Sequence, residues 1–180
     1  MFKVHTDGSC LGNPGAGGWA AIIIDERNQR EEIFGGEAHT TNNRMELTAA
    51  IRALEKTSAG AVVELFTDSS YLKNAFTNGW LVKWKRNGWK TASKSPVLNQ
   101  DLWLALDELI SARNVTFNWV KGHAGDFFNE RCDLLARTTA EKFQRGELKN
   151  SPPPPKSSTP PKISTPQEKF SKPVQLSLFD

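Results

Sequence analysis

Residues 43–67 read NRMELTAAIRALEKTSAGAVVELFT, a helical pattern that passes through a short glycine-containing turn into a compact apolar strand. Ala49, Ala50, Ala53 and Leu54 recur at helical spacing and make one face of the helix apolar. Val62–Thr67 is the strand, and it ends in Thr67-Asp68-Ser69-Ser70. Phe2–Thr6, an earlier strand, ends in nearly the same way, Thr6-Asp7-Gly8-Ser9. A helix lying between two strands implies parallel pairing through a crossover. Asp7 and Asp68 then sit together at the carboxyl ends of neighbouring strands, where open α/β sheets place their ligand sites.

Outward from this unit, Gly8–Gly18 reads as a glycine-rich turn, followed by strands Trp19–Ile24 and Glu31–Gly35 in an antiparallel meander. Ser70–Phe76, Asp101–Ser111 and Asn129–Arg145 are helical, and Val115–Val120 is one more apolar strand. The expected fold is α/β, a mixed sheet of roughly five strands flanked by helices. No internal repeat is found. Glu147–Asp180 holds eight of the ten prolines, mixed with Ser, Thr and Lys. Such a stretch buries too little apolar surface to offset its ordering entropy, so a globular domain over 1–145, a disordered linker over 146–174 and a terminal peptide over 175–180 are expected.

Composition bounds the function. The chain is 38% hydrophobic and 24% charged, which suits one globular domain with its own core. No apolar run is long enough to span a bilayer, and MFKVHTDGSC lacks the basic start and apolar stretch of a secretory signal, so a cytoplasmic location is expected. Cys10 and Cys132 lack CxxC or Cys/His spacing, which argues against a disulfide framework or a zinc site.

Asp before Gly or Ser is often only a turn or a helix cap, and either aspartate alone is read that way. Glu46 asks for more, because Ala49, Ala50, Ala53 and Leu54 place it on the apolar face of its helix. A carboxylate there is costly unless it is paired or metal-bound. Asp133 sits at the edge of the inward face of the last helix, with Ala136 and Ala140 at i+3 and i+7; its plain alternative is a first-turn acid favoured by the helix dipole. Four acids converging without a basic partner repel one another, and hard divalent cations such as Mg²⁺ relieve that repulsion. Two such ions about 4 Å apart would serve in-line attack on a phosphodiester. His123, in the glycine-flanked loop Val120-Lys121-Gly122-His123-Ala124-Gly125, is either a solvated side chain or a mobile proton carrier.

The net charge of +3 is modest, but its distribution is not even. Ser69–Gln100 contains no acidic residue, whereas Lys73, Lys83, Lys85, Arg86, Lys90 and Lys94 interleave with Trp80, Trp84 and Trp89. Cations neutralise phosphates and aromatic rings stack on nucleotides, the footprint of a nucleic-acid groove. The alternative is a solvated face over a small tryptophan core.

TDGSCLGNPGAGGW, TTNNRMEL, LFTDSSY, NGWKTASKSPVLNQDLW and VKGHAGDFFNERCDLLA occur in that order along nearly all of residues 1–145. In order and spacing they resemble bacterial type 1 ribonuclease H. The resemblance implies the ribonuclease H fold with a basic handle, two Mg²⁺ ions with Mn²⁺ as a substitute, and cleavage of the RNA strand of RNA–DNA hybrids to 5′-phosphate and 3′-hydroxyl ends. It makes Asp7, Glu46, Asp68 and Asp133 the metal-binding carboxylates, with His123 assisting proton transfer or product release. It places Cys10, Asn13, Asn42 and Asn43 near RNA 2′-hydroxyls, the group that distinguishes RNA from DNA. Thr41 and Asn99 match a DNA-phosphate grip, Trp80 and Trp84 match the DNA-strand channel, and Lys83, Lys85, Arg86 and Lys90 fall in the handle. Ser70 departs from the glutamine of many bacterial members, and Asp126-Phe127-Phe128 departs from their commoner loop.

Gln175-Leu176-Ser177-Leu178-Phe179 resembles the pentapeptide by which bacterial replication and repair proteins bind the sliding clamp. Three large apolar residues ending a polar tail have no core to join, which suits a short docking motif. The rival readings are a junction resolvase of the same fold and a catalytically inert hybrid-binding module. The handle and Asn42-Asn43 argue against the first, the complete set of acids with His123 against the second. A monomer is expected.

Overall fold

The computed structural model describes residues 1–122, 125–150, 152–153 and 176–177. Five strands form a mixed sheet: β1 (Phe2–Leu11), β2 (Gly15–Ile24), β3 (Arg30–Thr40), β4 (Val62–Thr67) and β5 (Asn114–Trp119), in the order β3-β2-β1-β4-β5. β1, β2 and β3 form the antiparallel meander, while β4 is parallel to β1 and β5 parallel to β4. The helices are α1 (Asn42–Glu55), α2 (Ser70–Thr77), α3 (Trp80–Arg86), α4 (Gln100–Ser111) and α5 (Phe127–Gln144).

The alternation of the strands divides the core. Val4, Ala21, Ile23, Val63 and Leu65 face α1 and α4, packing with Leu47, Ile51, Leu54, Leu102 and Leu106. Ala20 and Ile22 face the other way, onto Cys132 and Ala136 of α5. Both faces of the sheet are therefore covered, and β2 reads as a continuous apolar run for that reason. No helix among the described residues is long and apolar enough to cross a membrane.

The α/β architecture and the parallel β1–α1–β4 unit are as expected, and three local features differ. Gly8–Gly18 is mostly strand: β1 runs on to Leu11 and β2 begins at Gly15, leaving only Gly12–Pro14 as the turn. Glycine lowers strand propensity but does not break a strand whose ladder is complete, and here Gly8 pairs with Trp19 and Cys10 with Gly17. β3 continues five residues past Gly35, to Thr40. The basic insertion contains a further short helix, α3, capped at its start by Gly79 in the left-handed region (φ 64°).

The chain also stays with the domain beyond Arg145. The Ala38 N–H donates to Asn150 Oδ1 at 2.8 Å and Arg52 donates to the Pro152 carbonyl. Leu176–Ser177 forms a two-residue strand, β6, parallel to β5 with Phe117 opposite Leu176. β5 is otherwise an edge whose N–H and C=O groups seek partners, so even a segment with no core of its own can add there. The rest of the proposed linker, 154–174, and Gln175, Leu178 and Phe179 lie outside the described residues.

Candidate active site

β1 and β4 pair with His5 opposite Phe66, so two residues further on Asp7 stands beside Asp68. Asp68 follows the last residue of β4, whereas Asp7 lies inside β1, because β1 remains paired with β2 after its pairing with β4 has ended. Asp7 is buried, and its Oδ1 accepts the Gly8 N–H at 2.7 Å. Burial, then the neighbouring Asp68, push its carboxyl up from 3.8 to about 8, with Asp133 and Glu46 adding repulsion and the Gly8 N–H opposing it. Asp68, Asp133 and Glu46 thus all act electrostatically on Asp7.

α1 begins at Thr41, whose Oγ1 accepts the Arg44 N–H at 3.4 Å. Glu46 is half-buried one turn in, held on both oxygens: Asn42 Nδ2 donates to Oε1 at 2.9 Å and Ser69 Oγ donates to Oε2. Burial raises the Glu46 carboxyl and these two donors lower it. Ser69 also caps α2, accepting the Leu72 N–H at 3.2 Å. One hydroxyl therefore sets both where α2 starts and where Glu46 points.

α5 supplies the remaining pieces. Asp126 caps it by accepting the Asn129 N–H at 2.8 Å, and Asn129 Nδ2 reaches across to Asp68 Oδ2 at 3.2 Å. Asp133 follows one turn later and is half-buried. Gly122 passes so close to Asp68 that a Cβ there would lie 2.6 Å from Oδ2. Ser69, Asn129 and Gly122 were not singled out from sequence, because a small polar residue after a strand, an asparagine in a first turn and a loop glycine carry no individual signal. His123 lies outside the described residues.

No ion pair joins a basic side chain to any of the four acids among the described residues. Nor does a group of three or more His, Cys, Asp or Glu side chains there stand ready to hold a metal ion by itself. A cation at such a site would retain waters and take substrate oxygens as further ligands.

Around the acids the structure assembles most of the predicted contact residues. Asn13 Oδ1 accepts the Asn42 N–H at 3.1 Å, and the Cys10 thiol lies 3.4 Å from the Thr40 carbonyl, so the β1–β2 turn and the start of α1 form one polar rim beside Glu46. Asn43 is half-buried on the same turn. Thr41 and Asn99 are bridged by Arg44, which bonds Asn99 Oδ1 at 3.4 Å and grips both oxygens of Asp101, at 3.0 and 2.8 Å. Arg44 is a further residue that no local pattern singles out.

In the basic insertion the tryptophans divide between the core and the surface. Trp89 is 4% exposed with φ 61° and belongs to the core, so it is unavailable for stacking on a nucleotide. Trp80 and Trp84 are half-buried, with ring centroids 6.0 Å apart, and Trp84 continues to Trp103 at 5.5 Å. Lys83, Lys85, Arg86 and Lys90 are exposed, with Lys85 paired to Asp107 at 2.9 Å. A protrusion this small needs its own apolar anchor, and Trp89 supplies it.

The family model described as RNase H matches residues 1–141. A ribonuclease H of Rhodopseudomonas palustris (strain BisB5) is 57% identical over 141 residues, covering 78% of this chain and 93% of that protein. One from Brucella ovis is 54% identical over 143 residues, covering 79% and 92%. Among solved structures, LC9-RNase H1, a type 1 RNase H with the type 2 active-site motif, superposes with a TM-score of 0.66 at 33% identity, covering 78% of this chain and 72% of that one. LC11-RNase H1, solved in complex with an RNA/DNA hybrid, superposes with a TM-score of 0.58 at 24% identity, covering 79% and 98%. Matched by the family model over residues 1–141, and more than half identical to these relatives over the 141 and 143 residues aligned, the chain belongs to the RNase H family of ribonucleases.

Proposed function

We propose that this ribonuclease hydrolyses the RNA strand of RNA–DNA hybrids with two Mg²⁺ ions held by Asp7, Glu46, Asp68 and Asp133, leaving 5′-phosphate and 3′-hydroxyl ends. The observation that carries the metal reading is Asp7: a carboxyl raised first by burial and then by three neighbouring acids, with no basic side chain paired to it among the described residues. Bound there, divalent ions activate a water and stabilise the leaving oxygen. The chain's own part is positional. Ser69 and Asn42 fix both oxygens of Glu46, Asn129 fixes Asp68, and the backbone of Gly8 fixes Asp7. Asn13, Asn42, Asn43 and Cys10 form the rim that reads RNA 2′-hydroxyls. Thr41 and Asn99 hold a phosphate of the DNA strand with Arg44 between them, and Trp80 and Trp84 wall its channel. His123 transfers a proton or aids product release.

The deciding experiment incubates end-labelled hybrid, duplex RNA and duplex DNA with pure protein and Mg²⁺. Cutting confined to the RNA strand of the hybrid is expected. Equal cutting of duplex DNA would remove the 2′-hydroxyl reading, and no cutting of any substrate would remove the nuclease.

Metal binding is expected to depend on pH in a defined direction. With its carboxyl at about 8, Asp7 carries a proton at neutral pH that a bound cation must displace. Apparent Mg²⁺ affinity therefore rises by up to about tenfold per pH unit below that value and levels off above it. Because the folded-state value is raised, Asp7 also costs the metal-free fold stability that is absent near pH 4 and grows as pH rises toward 8. Calorimetry in two buffers of different ionisation enthalpy counts the released protons, and a pH-independent affinity with no proton release would contradict the assignment.

Ser69→Ala is expected to lower kcat by roughly 10- to 100-fold with little change in KM for hybrid, since Glu46 loses its orienting donor. Ser69→Thr, which keeps the hydroxyl, restores most of the rate. A purely structural role for Ser69, as the α2 cap, would instead lower the stability of Ser69→Ala and leave the kcat of its folded fraction unchanged.

Replacing Lys83, Lys85, Arg86 and Lys90 together by Ala is expected to raise KM and flatten its dependence on log salt, each lost phosphate contact reducing the slope by about 1. An unchanged slope returns the cluster to a solvated face.

Gln175–Phe179 we assign to the sliding clamp, with 154–174 as the tether. For Leu176 and Ser177 this requires leaving the edge of β5. Fluorescence polarisation with purified clamp, comparing the full chain with Leu178→Ala, Phe179→Ala, tests it, and equal binding or none by both would remove the assignment.

A further inference from the structure

On the flank of the molecule, away from the carboxylates, a groove of about 300 Å³ runs between β3 and the second half of α1. Its apolar floor and wall are Trp19, Ile33 and Phe34, the last 52% exposed, and Arg52 lines the helix side. Pro152 lines the groove itself. Two donors here are buried without a hydrogen-bond partner among the described residues, the Trp19 indole Nε1–H and the Arg52 Nε–H. The rest of the Arg52 guanidinium is committed, to Glu55 Oε2 at 3.1 Å and to the Pro152 carbonyl.

We infer that this groove is a binding site for a proline run, and that its occupant is the chain's own run beginning at Pro152-Pro153. The chemistry matches on both sides. A proline run offers carbonyl acceptors and no backbone N–H, and the groove offers an aromatic surface, the Arg52 guanidinium already donating to the Pro152 carbonyl, and in Glu55 an acceptor already paired with Arg52, so no backbone N–H is called for. Proline's fixed φ means that such a run loses little entropy on docking, which is why extended proline segments are bound in aromatic grooves elsewhere. The approach is already set by two contacts just before and at the run: Ala38 on β3 donates its N–H to Asn150 Oδ1, and Arg52 donates to the Pro152 carbonyl. The first of these also caps an N–H on the open edge of the sheet. The described chain consequently runs past α5 to this flank, where Pro152-Pro153 lie beside the groove. The inference depends on no part of the nuclease reading, because neither the groove nor the run contains a site residue.

The test compares the full chain with a full-chain variant carrying Pro152→Ser, Pro153→Ser, Pro154→Ser and Pro155→Ser, using ¹⁵N-labelled protein. In the variant, the Trp19 indole and the Phe34 and Ala38 amide resonances shift, and Ala38 amide exchange speeds up by roughly tenfold, the equivalent of one net hydrogen bond. A synthetic peptide spanning residues 150–158, added to the variant, moves the same resonances back. Hybrid cleavage stays as in the unmodified chain. Phe34→Ala in the otherwise unmodified chain is the reciprocal probe and shifts the backbone and side-chain amide resonances of Asn150. Identical groove resonances in the two chains would overturn the inference. If those resonances ignore the serine substitutions yet respond to added peptide, the groove serves another protein's proline segment and the intramolecular occupant is wrong.

Discussion

Asp68→Asn protein folds, binds hybrid at least as tightly as the unmodified chain, and cuts it slower by a factor on the order of a thousand or more. The size follows from the chemistry: a group that holds the ions stabilising a developing charge contributes several kcal/mol to the transition state and little to ground-state binding. Survival of the fold follows from the geometry. Asn is isosteric with Asp, Asp68 is half-buried at the end of β4, and the amide oxygen of the variant can still accept from Asn129 Nδ2, which lies 3.2 Å from Oδ2. Tighter binding follows from electrostatics, since one negative charge is removed from a cleft that takes a polyanion. The same change relieves Asp7, whose carboxyl is raised by Asp68 more than by either of the other acids. The metal-free variant is therefore expected to melt at a higher temperature than the metal-free parent at neutral pH. Single-turnover cleavage, hybrid affinity in EDTA and thermal melting check the three parts. Near-normal turnover would end the metal assignment at Asp68, whereas lost turnover with lost folding would make Asp68 structural.

What could be read beforehand was what rests on periodicity and on residue chemistry that cannot be hidden. The alternation of apolar strands with an amphipathic helix over 43–67 placed Asp7 and Asp68 on parallel neighbours, and the Ala stripe of α1 exposed Glu46 as out of place. Both are many-residue signals. Ser69, Asn129 and Arg44 were silent because each acts through a single long-range contact, over 23, 61 and 57 residues of chain, that no local pattern encodes. Trp89 stood open between the groove and a small core, because it lies among the same basic residues as Trp84; in the structure its backbone is left-handed and its ring is buried, while Trp84 is half-buried. A related limit applies to Gly8, Gly17 and Gly18, which lie within strands where α1 or α5 passes close, whereas Gly12, at φ 74°, does serve the turn.

Gly8→Ala is the substitution where that close approach becomes measurable. A Cβ at residue 8 would lie 2.3 Å from the Glu46 nitrogen, 2.6 Å from the Met45 carbonyl carbon and 2.9 Å from the Glu46 Cα. All three atoms are backbone of α1, so no rotamer change can make room and the helix must move off β1. α1 packs Leu47, Ala50, Ile51 and Leu54 into the main core, and lifting it disturbs that packing along its length. Overpacking against an unyielding neighbour costs about 3 kcal/mol, which lowers Tm by on the order of 10 °C in a domain of this size. The displaced helix also carries Glu46 away from Asp7, and a misplacement of about 1 Å at a catalytic group is worth roughly a hundredfold in rate. The two losses have different remedies. Lowering the temperature refolds the variant but does not return Glu46 to its place, so cleavage at 10 °C, where the protein is fully folded by circular dichroism, remains depressed relative to the parent at the same temperature. A variant that melts low yet cuts at the parental rate when cold would show that α1 can retreat without moving Glu46, and one with parental Tm would show that the contact between β1 and α1 is looser than these distances require.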